Sequence, residues 1–369
     1  MVCSAQSRLL ARLSFLPPVF DTRSGRAMEE SSHRRNATKY LDLSVNASFS
    51  SRLRPIALAT LAGYLAGLVS DGRACSTCGC SLSSDWAAQG YPSLPGFDAG
   101  VRVEYFEQSD LRSGTSRVDR ATLSFPHDSE IQQRTLNRNT WLDLTSVIDS
   151  AWSISAGIPW HDRYHTTIAE GDTDISTAHA SGLGDGRVLV RWQKAESSQN
   201  IGGQFGFKLP TGRFDQNFSG GPQAGELLDR GLQLGTGTTD LIAGFSWFAR
   251  PTAALGTFVQ ATFQQPLAER AGFRPSTSLT LSGGIRWLNT SRFTPQLQLN
   301  LKAEGREHGN LADTPNSGST IGYLSPGVTA ETTASSTAFV FVQLPVYQRV
   351  NGLQLEPKWV LSLGLRHRF

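Results

Sequence analysis

Residues 358–369 (KWVLSLGLRHRF) alternate between two kinds of side chain. One face carries Trp359, Leu361, Leu363, Leu365, His367 and Phe369, and the other carries Lys358, Ser362, Gly364, Arg366 and Arg368. Because successive side chains of a β-strand point to opposite faces, the segment predicts a strand with one apolar and one polar side. A closed barrel in a lipid bilayer gives such a strand lipid on one side and water on the other.

The composition fits a single large β-structure of this kind. The chain has 369 residues, of which 36 are Gly and only 2 are Met, with 39% hydrophobic residues and a mean hydropathy of -0.25. These values exclude a helical membrane protein, but they are normal for a barrel in which half of each strand faces water. A soluble all-β sandwich is the alternative.

The same alternation recurs along the chain, with turn signals between the runs. It predicts an all-β fold, a transmembrane antiparallel up-and-down β-barrel of about 12 strands. The predicted strands cover residues 98–108, 139–147, 152–160, 187–194, 200–209, 238–248, 255–264, 277–287, 293–304, 323–331, 338–347 and 358–369.

The connections between these strands alternate in length. Long or moderate connections (109–138, 161–186, 210–237, 265–276, 305–322 and 348–357) alternate with short ones (148–151, 195–199, 249–254, 288–292 and 332–337). Outer-membrane barrels have long extracellular loops and short periplasmic turns, so the pattern predicts a barrel in the bacterial outer membrane with a periplasmic N-terminus.

The first 74 residues differ from the rest. Residues 55–69 (PIALATLAGYLAGLV) are an apolar run behind Arg52 and Arg54, and Ala74 precedes Cys75. A basic flank, a short apolar core and small residues before a break predict a cleavable signal peptide over residues 51–74, with a short membrane anchor or buried helix as the alternative. Residues 1–50 then indicate an upstream or mis-started segment, 75–96 a Cys-containing periplasmic segment or plug, and 97–369 the barrel.

Charge gives no indication of a nucleic-acid partner. Residues 1–74 carry 10 of the 34 Lys and Arg residues and 5 of the 31 Asp and Glu residues. The remaining chain is therefore nearly neutral, and the basic isoelectric point of the whole sequence says nothing about nucleic acid.

Two short motifs carry a family resemblance. They are FKLPTGRFD at residues 207–215 and LGTGTTD at residues 234–240, separated by a long loop between two strands. In this order the chain resembles the outer-membrane transporters grouped with phenol-degradation (MetA-pathway) proteins, which are distantly like long-chain fatty acid channels. The resemblance covers about residues 97–369. It implies a solute-permeable barrel for hydrophobic or aromatic compounds, but it implies no binding residue.

Cys75, Cys78 and Cys80 form the sequence CSTCGC at the predicted new N-terminus. Close thiolates can bind copper or another soft metal, and a Cys-x-x-Cys pair can exchange thiols. A local disulfide in an oxidising periplasm and lipid attachment at Cys75 are the alternatives. Apart from this speculative metal site, the sequence indicates no cofactor.

His161, Asp162 and His165 raise the question of an enzyme, since outer-membrane phospholipases also have twelve strands. Such catalysis needs a serine within hydrogen-bond reach of a histidine and an orienting polar group. No local serine motif supports such catalysis, so we interpret these residues as the polar start of a loop. We therefore predict a protein that is not an enzyme. A phospholipase-like enzyme is kept as a minor alternative.

The polar faces of the predicted strands define a candidate lumen, which must either conduct or be packed closed. The first hypothesis is a passive porin-like channel for small solutes, and the second is a barrel that anchors the Cys cluster for copper binding or redox chemistry. The third is a lumen closed by salt bridges or by residues 81–96. Expected partners are membrane lipid, a small solute and the barrel-assembly machinery, which would act on the strand ending at Phe369. The predicted lumen-lining residues are Arg102, Glu104, Asp143, Arg187, Arg191, Lys208, Asp240, Arg286, Lys302, Glu304, Glu331, Lys358, Arg366 and Arg368.

Overall fold

The computed structural model describes residues 82, 86, 89–91, 94–288 and 292–369. The predicted signal peptide, the upstream segment and the cysteines at 75, 78 and 80 lie outside the described residues, so those predictions stay untested. Within the described part of the chain, no helix has the length and apolar character needed to cross a membrane.

The described residues form thirteen strands, each paired antiparallel to its neighbours. The strands are β1 (Gly96–Gly114), β2 (Ser116–Arg117), β3 (Ile131–Val147), β4 (Trp152–Ile168), β5 (Ile175–Leu183), β6 (Gly186–Ala195), β7 (Gln199–Leu209), β8 (Asp240–Thr252), β9 (Leu255–Pro266), β10 (Ser278–Trp287), β11 (Phe293–Glu304), β12 (Ser319–Glu331) and β13 (Ser336–Arg368). Two short 3-10 helices, Arg120–Thr122 and Arg230–Leu232, lie in the connections.

Eleven of these strands close into a barrel, because β13 pairs with β12 and also with β1. β13 folds back on itself: residues 337–350 pair with β12 and residues 353–368 pair with β1. Arg368 N donates to Ser335 O at 2.8 Å, which brings the two ends of β13 together. The wall therefore has twelve strand crossings, and the predicted barrel of about 12 strands is confirmed. β2 and β5 lie outside this ring.

The wall has the two faces that the alternation predicts. Trp152, Ile154, Ile158 and Trp160 of β4 all point outward and are 42–49% exposed. Inward-facing positions are polar and buried, such as Gln298 and Asn300 of β11, both 0% exposed. An exposed apolar outer surface around a polar interior is the inverse of a soluble fold, and lipid is the medium that it fits.

Aromatic side chains lie around the outer surface, at strand ends (Trp192, Trp287 and Phe369) and within the long β4 and β13 (Trp160 and Trp359). These five side chains are 41–74% exposed. Amphipathic aromatic rings favour the boundary between lipid and water, so these residues mark the limits of the apolar belt.

The two ends of the barrel differ. Connections 148–151, 196–198, 253–254, 288–292 and 332–335 are short and lie at the end where Phe369 N donates to Phe97 O at 2.9 Å. We call this the short-turn end. The opposite, long-loop end carries the connections 115–130, 210–239, 267–277 and 305–318.

Three predicted connections are wrong in extent, because strands continue through them. β1 and β3 extend into the predicted loop 109–138, β4 and β5 occupy much of 161–186, and β13 runs through 348–357. His161, Asp162 and His165 therefore lie within β4 and not at a loop root.

These extensions exist because tertiary contacts cover their inner faces. Leu111, Ile131 and Leu355 form one small core above the barrel, together with Val118 and Phe125 of the first long connection. A second core joins two β5 residues to the loop 210–239, and its members are Ala178, Ala180, Phe218, Leu228, Leu232 and Leu234. Burial of this apolar surface stabilises strand structure that polar local sequence does not predict.

Candidate functional site

The barrel encloses a cavity of about 560 Å³, which we call the chamber. Its wall is built from inward-facing side chains of β1, β3, β4, β6 and the strands that follow, because every second residue of each strand points there. Among the lining residues are Trp141, Ser155, Gln204, Gln260 and Thr280. A cavity of this volume is large enough for a small organic molecule.

The chamber wall carries many charges, and several of them are paired, either within one strand or across the strand that lies between them. Arg187 donates to Asp143 at 3.1 Å, and Lys302 lies 3.0 Å from Glu304. Arg102 also pairs with Glu104. The lining residues include eight Lys and Arg against seven Asp and Glu. The wall is therefore polar without a large net charge, and neither anions nor cations are strongly favoured.

Trp141 adds an aromatic surface to this polar wall. The guanidinium carbons of Arg187 and Arg102 lie 4.7 Å and 5.2 Å from the centre of its ring. Cation–π contacts of this kind hold an aromatic ring in a fixed orientation. The chamber can therefore contact an aromatic solute by stacking and a polar solute by hydrogen bonds.

The loop 210–239 covers the chamber at the long-loop end. Arg163 of β4 donates to Leu232 O at 2.6 Å and to Gln233 O at 3.1 Å, and Leu234 borders the chamber. The Arg230 guanidinium lies between the rings of Phe214 and Phe273, 4.4 Å and 5.0 Å from their centres. The loop is thus held inside the barrel mouth and narrows the path through it.

The two sequence motifs contact each other where the loop 210–239 begins and ends. Asp185, between β5 and β6, accepts hydrogen bonds from Gly212 N at 3.0 Å and from Thr236 N at 2.9 Å. Lys208 lies 3.2 Å from Asp185 and 2.9 Å from Asp240. We call this contact of the two motifs with Asp185 the motif junction, and it fixes both ends of the loop 210–239.

At the short-turn end, residues before β1 lie inside the barrel. The Arg286 guanidinium stacks on Tyr91 at 3.9 Å and donates to Gln89 O. Trp86 contacts Phe339 at 5.6 Å between ring centres and borders the chamber. The described residues of this segment therefore reduce access from the short-turn end.

The structure brings ten of the fourteen predicted lumen residues to the chamber: Arg102, Glu104, Asp143, Arg187, Arg191, Lys208, Asp240, Lys302, Glu304 and Arg366. Arg286 lies outside the chamber lining, towards the short-turn end, and its guanidinium stacks on Tyr91. Arg368 bonds to Asp98 at 3.2 Å. Glu331 is exposed at the end of β12, and Lys358 is 57% exposed beside irregular pairing of β13 with β1.

The sequence prediction did not include Trp141, Asp185, Arg163 or Arg230. Trp141 has the same phase as Asp143 in β3, so the alternation contained a signal for it. Asp185 lies in a strand break, while Arg163 and Arg230 belong to regions predicted as loops. No local pattern places these three residues at the chamber.

Among the described residues, the side chains considered for catalysis do not form a site. His161 and Asp162 point to opposite faces of β4: His161 bonds Asn139 at 2.7 Å and Asp162 bonds His179 at 2.6 Å. Ser336 bonds His367 at 2.8 Å, but no acidic or amide side chain of the described residues bonds the other ring nitrogen. Within the described part of the chain, no group of three or more His, Cys, Asp or Glu residues can hold a metal.

Comparison with known proteins places this architecture among outer-membrane barrels. No family model matches the sequence, and no curated protein is significantly similar to it. The structure is similar to that of an outer membrane channel from Pseudomonas putida F1, with a TM-score of 0.58, 10% identity, and coverage of 78% of this chain and 99% of that chain.

More distant likenesses include a Pseudomonas aeruginosa FadL homologue (TM-score 0.41, 10% identity, 81% of this chain and 99% of that chain). Another is the Ralstonia pickettii toluene transporter TbuX (TM-score 0.40, 9% identity, 80% and 97%). At 10% identity, the likeness to the Pseudomonas putida F1 channel shows the fold. Together with the exposed apolar belt, the fold defines a transmembrane β-barrel of the bacterial outer-membrane class.

Proposed function

We propose that the protein is an outer-membrane channel for passive passage of small solutes, including hydrophobic and aromatic ones. The chamber carries this proposal, because a barrel that served only as an anchor would have no need of a polar cavity of about 560 Å³. The similar barrel from P. putida F1 is an outer membrane channel, which supports the same function. The proposal assigns no reaction to the protein.

The proposal also fixes an orientation. Barrels of this class place short turns in the periplasm and long loops outside, so the loop 210–239 would cover the extracellular mouth. The barrel-assembly machinery would insert the chain through its last strand. The exposed Phe369, whose ring lies 5.9 Å from that of Phe97, would be available to it during insertion.

Single-channel recording and a pair of neighbouring substitutions test the proposal. Ser155 lines the chamber, whereas Ile154 faces lipid and is 44% exposed. We expect discrete openings for the wild type in planar bilayers. Ser155→Trp should reduce the conductance severalfold, because the indole would occupy the chamber, and Ile154→Trp should leave it unchanged.

The same three proteins are compared in liposomes with phenol, benzoate and arabinose as probes. The proposal expects uptake that Ser155→Trp reduces and Ile154→Trp does not. A wild-type barrel that shows neither openings nor uptake of any probe contradicts it.

A further inference from the structure

A group of basic side chains interrupts the lipid-facing surface on one side of the barrel. Arg134 and Arg138 of β3, His179 of β5 and Lys358 of β13 all point outward, with side chains that are 44–59% exposed. These four residues, which we call the basic rim, belong to neighbouring strands, since β13, β1, β3, β4 and β5 pair in that order.

The basic rim lies at a defined depth. Arg138 is directly opposite Tyr105, and His179 is directly opposite Tyr164. Trp160 of β4, 49% exposed, comes two residues before Asp162 on the same face. Tyr and Trp favour the boundary of the bilayer, so the rim begins where the hydrocarbon layer ends and lipid headgroups begin.

The charges are confined to this side. The outward residues at the corresponding ends of β7 to β11 are uncharged and consist of Leu209, Leu241, Phe263, Leu279 and Leu301. The strands that carry the rim also extend farther at the long-loop end, where β1 spans 19 residues and β3 and β4 span 17 each. A general preference for charged residues at the end of the apolar belt would place them all around the barrel. Such a preference therefore does not explain the basic rim.

Carboxylates hold the rim side chains in position without enclosing them. Asp162 bonds His179 at 2.6 Å and Arg138 at 3.2 Å, and Glu107 bonds Arg134 at 2.9 Å. Each guanidinium has five N–H donors in a planar fork, so donors remain for a second anion. Lys358 adds a further charge on the same face, 3.4 Å from Asp110.

From this arrangement we propose that the basic rim binds the phosphorylated headgroup of an outer-leaflet lipid. Arg134 and Arg138 contact phosphate oxygens, for which the guanidinium fork is well matched. The rim crosses five neighbouring strands, which corresponds to about 19 Å of wall at the usual strand spacing, and this width accommodates a sugar headgroup with more than one phosphate. The apolar belt below receives the acyl chains.

Native mass spectrometry of the barrel in a nonionic detergent tests this proposal. The probes are a bis-phosphorylated lipid A, its dephosphorylated form and inorganic phosphate. We expect one or more retained lipid A molecules, with binding at least about tenfold weaker in the double variant Arg134→Gln/Arg138→Gln, because two charge-assisted contacts are lost.

Arg213→Gln is the matched control. Arg213 is 70% exposed and pairs with Asp215 at 2.9 Å, as Arg138 pairs with Asp162, but it lies in the loop 210–239. This variant should bind lipid A as the wild type does.

Three results would each overturn the proposal. They are binding of lipid A by the double variant equal to that by the wild type, binding of the dephosphorylated lipid equal to that of lipid A, and complete competition by equimolar inorganic phosphate. Both arginines are exposed, and an unchanged circular dichroism spectrum checks that the double variant is folded.

Discussion

Gly212 and Gly235 pack backbone against backbone at the motif junction. A Cβ on Gly235 would lie 2.5 Å from Gly212 O and 2.6 Å from Asp185 Oδ1, and a Cβ on Gly212 would lie 2.7 Å from Gly235 Cα. Because backbone atoms cannot move aside as a flexible side chain can, both positions require glycine. This close contact explains why each of the two motifs contains a glycine at this position.

Gly235→Ala should therefore loosen the loop 210–239. We expect a loss of about 1–3 kcal/mol of local stability, as for other overpacked sites, and faster proteolytic cleavage within the loop. Gly283→Ala in β10 is the control, since its Cβ would come no closer than 3.6 Å to Phe258 O. Equal cleavage rates for the two variants would contradict the role given to the junction.

Two partly buried carboxyls above the chamber should make the loop sensitive to pH. Desolvation and the neighbouring Glu130 together raise the pKa of Asp229 to about 8. Burial also raises the pKa of Glu130. His165 Nε2 lies 3.8 Å from Glu130 Oε1, and Asp313 is a further carboxyl nearby. Asp229 directly precedes the 3-10 helix Arg230–Leu232 of the covering loop.

A carboxyl with a raised pKa binds its proton more tightly in the folded state, so folding is favoured at low pH. The docked loop should lose stability as pH rises from about 4, the pKa of a solvated Asp, towards about 8. Protection of the loop against hydrogen exchange, taken relative to the intrinsic exchange rate at each pH, should fall across this range in the wild type and fall less in Asp229→Asn. Asp215→Asn, at an exposed pair, should behave as the wild type.

The hairpin of β13 closes the barrel, and its turn depends on one glycine. Gly352 has φ +54, and a Cβ there would lie 2.8 Å from Pro315 O and close to the Asn316 side chain. Asn316 Oδ1 accepts a hydrogen bond from Leu353 N at 2.9 Å. The turn is therefore fixed both by its backbone conformation and by the connection 305–318.

Gly352→Ala should lower the free energy of unfolding by about 2–4 kcal/mol, which combines left-handed strain with the contact to the neighbouring connection. Gly114→Ala separates these two effects. Gly114 has φ +60 but no atom within 4 Å of its Cβ position, so only the strain should appear, about 1–2 kcal/mol. Urea unfolding of the barrel in detergent measures both. Identical losses would show that the contact with the connection contributes nothing.

The chamber is covered at both ends, so the whole molecule should conduct less than its number of strands allows. Pore width grows with strand number, and barrels of this size are easily closed by their own segments. We propose that residues 75–96 act as a plug at the short-turn end. The contacts of Arg286 with Tyr91 and of Trp86 with Phe339 support this role.

Deletion of residues 82–95 should increase the single-channel conductance severalfold, since it removes the groups at the short-turn end and leaves the strands intact. Arg286→Gln with the segment present should give a smaller increase, because it removes the stacking on Tyr91 and the hydrogen bond to Gln89 O but leaves the segment in the barrel. The outward-facing Ile154→Trp is again the control. An unchanged conductance after the deletion would place the narrowest point of the path at the loop 210–239.

The sequence determines the barrel because apolar and polar residues alternate with a period of two along each strand. This alternation follows from lipid on one side of the barrel wall and water on the other. It predicts β11 with its observed bounds, and it predicts the phase of β4 and of residues 359–365 correctly. The same phase brings ten predicted charged residues to the chamber. Lipid and water act on every residue of a strand, so each strand carries the signal locally.

Only the tertiary structure decides how the strands extend at the long-loop end and which loop residues cover the chamber. β5 forms because Ala178 and Ala180 pack against the loop 210–239, and no alternation with lipid specifies that contact. Arg163 bonds the covering loop at Leu232 O across 69 residues, and Arg230 of that loop bonds Ala271 O across 41 residues. Contacts between segments so far apart depend on how the loops fold over the barrel, and no repeating pattern in the sequence encodes them.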